Sequence, residues 1–459
     1  MRKTHLTIHK KALTLGITVG IMLLLLFSSF TSLSAQQANN GSLPYTINTY
    51  GPSWEGLIAF NLRQNGNSSA NYLVIMDSNG TIVSIRQADS NYDGAIYEIA
   101  PNTLLFEGEP GTDLQDTVWT TCATHIWNFI TNTTQDFPNV VSEHDIQYNP
   151  DDGTFLVLRD YIRQIGGKSI LFDKIMQVDS NGMILWTWDT YDHIPLSQAS
   201  QFNETSKTKI TGNIVEDFTH ANTLDWDYNN GVIYLNLRNT NTFYKIDQST
   251  GNIIWACGEF GNFTLLDDKG NAVSNLWYHS HDVKQIAPGV FTMFDNDYRN
   301  NTNPNDCHSA LLELTLNEET MTASVNWRWD APKQYWNSYG GSTSVLPNGD
   351  YLGAFGVPTH QLTQNQPWNF TDTGAVLIEV NPAGQIVKTI TFPVGWYIYR
   401  AEPITNQSSE PSVTPTIVSP DSKLSLTYSI FAAAVVVTIV AVLGSVLYLQ
   451  RTKKLEPAK

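Results

Sequence analysis

Three histidines of this chain lie at similar distances before turn glycines. The pairs are His144 with Gly153, His220 with Gly231, and His281 with Gly289. If the three hairpins are equivalent units of a β-repeat, equivalent positions converge in space and the three imidazoles share one site. An imidazole at neutral pH can act as a nucleophile or carry a proton without a cofactor. The spacing therefore indicates group-transfer or acid–base chemistry.

The residues that pair across these hairpins extend the candidate site. His220 and Arg238 lie about equally far from the turn at Asn229, so antiparallel pairing makes them cross-strand neighbours. The same count gives two further pairs, Arg159 with His144 and Asp295 with His281. Asn222 lies two residues after His220, so the two side chains share one face of the strand.

The predicted site combines one fixed cation, one amide and three imidazoles, with no carboxylate directed at its centre. Its members are His144, His220, Asn222, Arg238 and His281. A guanidinium fork and imidazole donors suit a tetrahedral oxyanion. We therefore expect transfer of a sulfuryl or phosphoryl group through a histidine, and these residue types alone do not separate sulfur from phosphorus.

The segments that must position these residues are strand–turn–strand units. Residues 36–404 contain no long amphipathic helical pattern. A first hairpin recurs with turns near residues 101, 151, 230, 288 and 348, and a second, such as 72–85 or 175–188, follows the pattern apolar-Asp-x-x-Gly-x-apolar. Four strands per repeat predict an all-β fold, a β-propeller. We expect six blades, with residues 56–64 as one inner strand and seven blades as the alternative.

Tryptophans end the outer hairpins, and we expect them to pack between blades. They are Trp186, Trp188, Trp255, Trp327 and Trp329.

The two ends of the chain carry segments typical of membrane targeting. Residues 1–35 have basic residues, an apolar run and then small residues, which predicts a signal peptide, with an uncleaved anchor as the alternative. Residues 405–424 are rich in Ser, Thr and Pro and predict a stalk. Residues 425–450 are long and apolar enough for a transmembrane helix, and the basic tail 451–459 follows. These features predict a single-pass protein of the cell membrane whose body, 36–404, is extracytoplasmic.

The composition of the chain also indicates which binding partners and modifications are expected. The net charge of −17 argues against nucleic acid as a partner. Asn-x-Ser/Thr sequons such as Asn79 and Asn132 fit a glycosylated surface, although an Asn-rich chain also produces them by accident. The three cysteines allow at most one disulfide and match no zinc motif. The sequence predicts no oligomeric state.

Several stretches around the candidate residues resemble the arylsulfate sulfotransferase family. They are residues 144–153, 186–195, 217–222, 238–255, 279–282, 294–296 and 399–400, within a similarity that covers most of 54–403. The resemblance implies a six-bladed propeller that transfers a sulfuryl group from an aryl sulfate donor to a phenol acceptor. It implies no nucleotide sulfate donor, no other cofactor and no metal. Two features depart from the pattern, because no N-terminal β-sandwich fits before Trp54 and a membrane tether is predicted.

The resemblance also implies roles for individual residues. His281 matches the histidine that is transiently sulfated in a ping-pong mechanism. His144, His220, Asn222 and Arg238 match the residues that hold and polarise the sulfate. Either His144 or His220 would take the proton of the acceptor.

Three other functions remain open at this stage. A metal-dependent propeller hydrolase could use His220, His279, His281 and Asp282 as ligands. Arg238 disfavours it, because a fixed cation repels a divalent ion. A membrane-anchored binding propeller without catalysis would fit the tether and sequons equally well. A quinone-dependent dehydrogenase is disfavoured, since no cofactor pocket can be traced.

Overall fold

Six mainly antiparallel sheets arranged as propeller blades account for most of the chain. The computed structural model describes residues 43–418 except 65–66, 88–93, 111–117, 119–120, 200–203, 208–212, 300–306, 357–360, 364–365, 370–373 and 406–415. Each of the six sheets contains at least four strands, and the described residues add one two-stranded sheet, Gln361–Thr363 with Gln366–Asn369. The predicted all-β, six-bladed architecture is confirmed.

Each blade runs from an innermost first strand to its outer strands. Blade 1 contains Ala401–Ile404, Leu57–Gln64, Asn67–Met76 and Ile82–Gln87, with Trp396–Tyr397 and Thr416–Val418 added to it. Blade 2 contains Ile96–Ala100, Thr103–Pro110, Cys122–Asn128 and Thr133–Ser142. Blade 3 contains Ile146–Asn149, Thr154–Ile165, Lys168–Val178 and Ile184–Asp189, with Glu204–Lys207 and Ile214–Asp217 added.

The other three blades follow the same plan. Blade 4 contains Ala221–Asp227, Val232–Leu237, Thr242–Asp247 and Ile253–Gly258. Blade 5 contains His281–Ala287, Val290–Asp295, Ala310–Asn317 and Thr322–Asp330, with Thr264–Leu266 and Ala272–Val273 added. Blade 6 contains Ser342–Val345, Tyr351–Phe355, Val376–Val380 and Ile386–Thr391, with Thr46–Thr49 outermost.

Helical structure in the described residues is short. It consists of one α-helix, Thr190–His193, and the 3-10 turns Leu196–Gln198, Arg238–Thr240 and Lys333–Tyr335. Within this part of the chain, no helix has the length and apolar character needed to cross a membrane. The predicted signal peptide, transmembrane segment and cytoplasmic tail lie outside the described residues, as does most of the predicted stalk. Thr416–Val418, inside that stalk, pairs with Ile82–Gln87.

The ring closes with strands from both ends of the described chain, and this corrects one expectation. Residues 56–64 were expected to form an inner strand, but Leu57–Gln64 is the second strand of blade 1 and pairs with the innermost Ala401–Ile404. Thr46–Thr49 pairs with Ile386–Thr391 at the outer edge of blade 6. The misassignment arose because the blade takes its first strand from a segment more than three hundred residues away.

Apolar clusters lie between neighbouring blades, and tryptophans anchor their outer parts. The indole of Trp188 in blade 3 donates to the Gly251 carbonyl in blade 4 at 2.8 Å. Trp329 in blade 5 makes the equivalent bond to Gly384 in blade 6 at 3.1 Å. These bonds agree with the expected inter-blade packing. All three cysteines are buried and none forms a disulfide.

Candidate functional site

The three histidines lie where the inner strands of three successive blades begin. His144 precedes Ile146–Asn149, His220 precedes Ala221–Asp227, and His281 begins His281–Ala287. The ring centroids of His144 and His220 are 5.1 Å apart. The ring of Tyr399, which lies just before the inner strand of blade 1, is 6.4 Å from His144 and 6.1 Å from His281. One mouth of the channel therefore gathers all three imidazoles.

A left-handed backbone shapes this mouth. His144 has φ 62° and His220 has φ 50°, while His279 and Asp282 next to His281 have 57° and 56°. Non-glycine residues in this region cost about 1–3 kcal/mol each and concentrate at functional sites. At His144 and His220, this backbone conformation interrupts the regular alternation of side chains just before the inner strands of blades 3 and 4 begin.

His281 is held through both ring nitrogens. Its Nδ1 lies 2.6 Å from Oδ1 of Asn296. Asn296 uses its Nδ2 to donate to the carbonyls of Asn337 at 2.7 Å and Gly340 at 2.9 Å. Because those carbonyls can only accept, Oδ1 faces His281 and Nδ1 must carry the hydrogen. Nε2 then carries the lone pair, and it accepts the backbone N–H of Gly340 at 3.1 Å.

His220 is oriented by carboxylates rather than by an amide. Its Nδ1 lies 2.7 Å from Oδ2 of Asp217. Asp173 holds the same loop by accepting from the Thr219 hydroxyl at 2.5 Å and the Ala221 N–H at 2.8 Å. The sequence did not predict a carboxylate behind His220, and the expectation that no carboxylate is directed at the centre of the site stays a prediction. Strand alternation could not locate Asp217. It ends the strand Ile214–Asp217, and His220 lies in the short loop between that strand and the next.

Arg238 lies beside this loop and opposite His220. The backbone N–H of Arg238 donates to the His220 carbonyl at 3.1 Å, which confirms the predicted cross-strand neighbours. The Arg238 side chain is buried, donates to Asn239 Oδ1 at 2.7 Å and lies over the ring of Tyr298, 5.9 Å from its centroid.

Asn222 ties blade 4 to the peptide before His281. Its Nδ2 donates to the Ser280 carbonyl at 2.8 Å, and its Oδ1 accepts from Asn236 Nδ2 at 2.8 Å. Asn236 also donates to the Ser280 carbonyl at 2.9 Å. The two amides fix the position of His281 relative to the Arg238 hairpin.

A buried ion network joins the inner ends of the blades around Arg400. Its Nη1 lies 3.1 Å from Asp145 Oδ1, and its Nε lies 3.7 Å from Asp282 Oδ1. Nη1 also donates to the Tyr97 hydroxyl at 2.9 Å, and Nη2 donates to the Asn222 carbonyl at 2.6 Å. Blades 2 to 5 thus each contribute a residue to the surroundings of this guanidinium, either within the blade or in the loop that leads into it.

Burial and nearby cations keep two of the histidines neutral. Burial lowers the pKa of His281 well below its usual value, and the charges of Arg238, His220 and Arg400 add to this effect. The pKa of His144 is lowered in the same direction by burial and by His220, Arg400 and Arg238. Burial raises the pKa of Asp173 to about 7. A neutral His281 with a lone pair on Nε2 has the electronic state of a nucleophile.

One pairing predicted from the sequence is wrong. His281 pairs with Phe294 rather than Asp295, because the strand is irregular between His281 and Lys284. Asp295 instead forms an ion pair with Arg328 at 3.0 Å.

The predicted pairing of Arg159 with His144 stays a prediction, because the paired register of the two inner strands of blade 3 ends at Val157 and Ile146. Arg159 lies beyond that end on its strand. It pairs with Lys174 in blade 3, and its charge interacts with Glu143 and Asp160.

His279 and Trp277, which lie close to His281 in the chain, are accounted for by packing. His279 is buried with Nδ1 2.6 Å from the Tyr298 carbonyl. Trp277 is buried against Phe243, with ring centroids 5.8 Å apart. Among the described residues, no group of three His, Cys, Asp or Glu side chains is arranged to hold a metal ion.

Sequence reasoning missed the residues that orient the histidines. Asp217 lies three residues before His220, a local signal that could have found it. Asn296 and Gly340 approach His281 from blade 5 and from the loop before blade 6, and only the fold reveals them.

Several solved structures are similar to the chain at low sequence identity. One is TolB from Acinetobacter baumannii, with 11% identity, 75% of this chain and 67% of that chain covered, and a TM-score of 0.37. Another is apo AztD from Citrobacter koseri, with 7% identity, 77% of this chain and 100% of that chain covered, and a TM-score of 0.37. A third is a hypothetical selenium-binding protein from Sulfolobus tokodaii, with 9% identity, 82% of this chain and 97% of that chain covered, and a TM-score of 0.39. No curated protein matches the chain. The sequence profile described as Arylsulfotransferase (ASST) matches residues 45–400.

Proposed function

The chain belongs to the arylsulfotransferase family, and on that premise we propose that it transfers a sulfuryl group from an aryl sulfate ester to a phenol through a sulfated His281. The observation that carries the proposal is that His281 is a buried, neutral imidazole. Its Nδ1 carries the hydrogen, and its Nε2 lone pair accepts the Gly340 N–H. No nucleotide sulfate donor and no cofactor take part in the proposed reaction.

In the first half-reaction, His281 Nε2 attacks the sulfur of the donor ester. The N–S bond forms as the S–O bond to the phenol breaks, and the electron pair of that bond leaves on the phenol oxygen. Asn296 favours this attack, because it holds the hydrogen on Nδ1 and leaves Nε2 free of one. The Gly340 N–H now on Nε2 must give way as the N–S bond forms, and a sulfuryl oxygen is an acceptor to which it can turn.

Charge on the sulfuryl oxygens needs donors in a pocket with little water. Arg238 supplies a permanent cation, and His144 and His220 supply imidazole donors at 5.1 Å from each other. Well-placed donors of this kind contribute roughly 3–4 kcal/mol each to transition-state stabilisation. Asn222 supports the site by holding the Ser280 peptide, and we assign it a positioning role.

In the second half-reaction, a phenol attacks the sulfur of sulfated His281. His144 or His220 takes the phenol proton, the new S–O bond forms, and the electron pair of the N–S bond returns to Nε2. The donor and acceptor therefore use one site in turn, as a ping-pong scheme requires.

We also propose that the propeller works outside the cell membrane. Residues 1–35 would direct export, and residues 425–450 would anchor the chain with the tail 451–459 in the cytoplasm. Small aryl sulfates and phenols would then reach the mouth from the extracytoplasmic side.

Replacement of His281 by alanine tests the proposed nucleophile. The full-length protein is mixed with 4-nitrophenyl sulfate and phenol, and 4-nitrophenol release and phenyl sulfate formation are followed. We expect the parent protein to transfer sulfate and His281→Ala to lose transfer. His193→Ala is the matched control, because His193 is an exposed imidazole stacked on Trp188, with ring centroids 4.3 Å apart. Equal transfer by His281→Ala and the parent would overturn the assignment.

A further inference from the structure

Two histidines of the site are oriented by partners of different charge. His220 Nδ1 faces the carboxylate of Asp217 at 2.7 Å, and His281 Nδ1 faces the amide oxygen of Asn296 at 2.6 Å. All four residues are buried. The geometry of the two contacts is nearly the same, so the difference in chemistry lies in the charge of the acceptor.

A carboxylate and an amide have opposite consequences for an imidazole. Both fix the hydrogen on Nδ1 and leave Nε2 facing the reactants. The carboxylate also stabilises the imidazolium form, which is the form that a proton carrier must adopt during turnover. The amide carries no net charge and leaves the imidazole neutral, which is the form that a nucleophile needs.

The surroundings of His281 strengthen this contrast. The charged groups that act on His281 are Arg238, Arg400 and His220, and each disfavours a cationic ring. Its ring also contacts the Gly340 N–H and the ring of Tyr399, neither of which carries a charge. A carboxylate at position 296 would oppose those cations, and the amide does not.

The surroundings of His220 include acid groups on two sides. Asp217 contacts the ring directly, and the carboxylate of Asp173 interacts with it from blade 3. His144 lies 5.1 Å away from ring to ring, and Arg238 faces the same loop through its backbone. Burial lowers the pKa of His144, and His220, Arg400 and Arg238 lower it further.

From these contacts we propose that Asp217 and Asn296 divide the work of the histidines, with Asp217 making His220 the proton carrier and Asn296 holding His281 as the neutral nucleophile. This inference rests on the proposed sulfuryl transfer and assigns the acid–base role that the sequence left between His144 and His220. Asp217 and Asn296 act through the histidines and are positioning residues.

Proton and electron movements balance in this scheme. When His281 Nε2 forms the N–S bond, the phenolate leaving group receives the proton from Nε2 of the His220 imidazolium, which becomes neutral. When an acceptor phenol arrives, neutral His220 takes its proton as the new S–O bond forms and the N–S bond breaks. His220 ends the cycle protonated and His281 ends it neutral, so no further reactant is needed.

The two half-reactions separate the two roles experimentally. 4-Nitrophenolate is a good leaving group and needs little protonation, whereas phenol as acceptor must lose its proton. Stopped-flow release of 4-nitrophenol without acceptor measures sulfation of His281, and phenyl sulfate formation after addition of phenol measures the second step. Both are recorded for the full-length protein from pH 5 to pH 9.

Asp217→Asn is expected to slow phenyl sulfate formation by about a hundredfold and the 4-nitrophenol burst by no more than about threefold. The matched control is Asp136→Asn, since Asp136 makes the same contact to His125 Nδ1 at 2.8 Å in blade 2, away from the site. The control should leave both steps unchanged. Equal slowing of the burst and the second step by Asp217→Asn, or equal effects of the two variants, would overturn the role of Asp217.

Asn296→Asp is expected to move the acid limb of the burst rate to higher pH by about one unit or more, because a carboxylate raises the pKa of His281. Asn296→Ala removes the Nδ1 acceptor without adding charge, and it should slow the burst without moving the limb. An unmoved limb in folded Asn296→Asp, or a burst unaffected by Asn296→Ala, would overturn the role of Asn296. A parent protein that gives neither burst nor transfer would overturn the proposed function itself.

Discussion

Replacing Arg400 with methionine removes the cation that two buried carboxylates share. The guanidinium is 1% exposed and lies 3.1 Å from Asp145 and 3.7 Å from Asp282, each of which has a fully buried side chain. It also donates to Tyr97 and to the Asn222 carbonyl, so its loss leaves acceptors in blades 2 and 4 unsatisfied. Methionine keeps an unbranched chain of similar reach and removes the charge.

Removing one partner of a buried ion pair lowers the free energy of unfolding by about 3–5 kcal/mol. The entropy of unfolding of a domain of this length is roughly 0.8 kcal/mol/K, so Tm should fall by about 4–6 °C. The deficit should depend on pH. Burial raises the pKa of Asp145, whereas the charge of Arg400 lowers it. Without Arg400, the pKa of Asp145 should therefore rise further. A carboxyl whose pKa is higher in the folded than in the unfolded protein destabilises the fold as the pH rises through the unfolded pKa. The loss of unfolding free energy caused by Arg400→Met should therefore be smaller in acid.

Thermal unfolding followed by circular dichroism between pH 4.5 and pH 8 measures this effect. Lys168→Met is the matched control, because Lys168 pairs with Glu216 at 2.6 Å on the surface with its side chain 65% exposed. That pair should contribute less than about 1 kcal/mol at any pH. Arg400→Lys retains a charge and should recover part of the loss. A Tm for Arg400→Met equal to that of Lys168→Met, or a deficit that does not change with pH, would refute the reasoning.

Three further outcomes follow from the site and core. Arg238→Met should lower kcat for sulfate transfer by about 10²–10³-fold, with Arg238→Lys recovering part of it, as steady-state kinetics would report. The lowered pKa values of His281 and His144 mean that both stay neutral well into acid. The 4-nitrophenol burst should therefore fall only below the ordinary histidine range, which a pH–rate profile would check. Trp277→Ala should cost about 3–5 kcal/mol in urea unfolding, because the indole is fully buried against Phe243.

Features set by neighbouring residues could be predicted from the sequence. The His220–Arg238 pairing depends on one hairpin with a short turn, so counting from the turn locates both residues. The same counting fails for His281 and Asp295, because the irregular strand after His281 shifts the register by one. Local periodicity carries no information about such an irregularity.

Features set by distant residues could not be predicted in this way. Gly340 reaches His281 from 59 residues away, and Arg400 reaches Asn222 from 178 residues away. Such contacts depend on how the blades close into a ring. Positive φ at His144 and His220 also escapes sequence reasoning, since the modest enrichment of histidine in that conformation does not single out these two among the ten histidines of the chain.

The closure of the ring by Ala401–Ile404 on Leu57–Gln64 sets a limit on how the chain can fold during synthesis. The backbone of Tyr399 and Arg400 also bonds to Asn61, across 338 and 339 residues. Loop closure over such a separation is slow, and blade 1 has no inner strand until nearly the whole propeller has been made. Arg400 joins the histidine mouth only at that moment, so a nascent or truncated propeller that ends before Arg400 would have the histidines without the cation that binds Asp145 and Asp282.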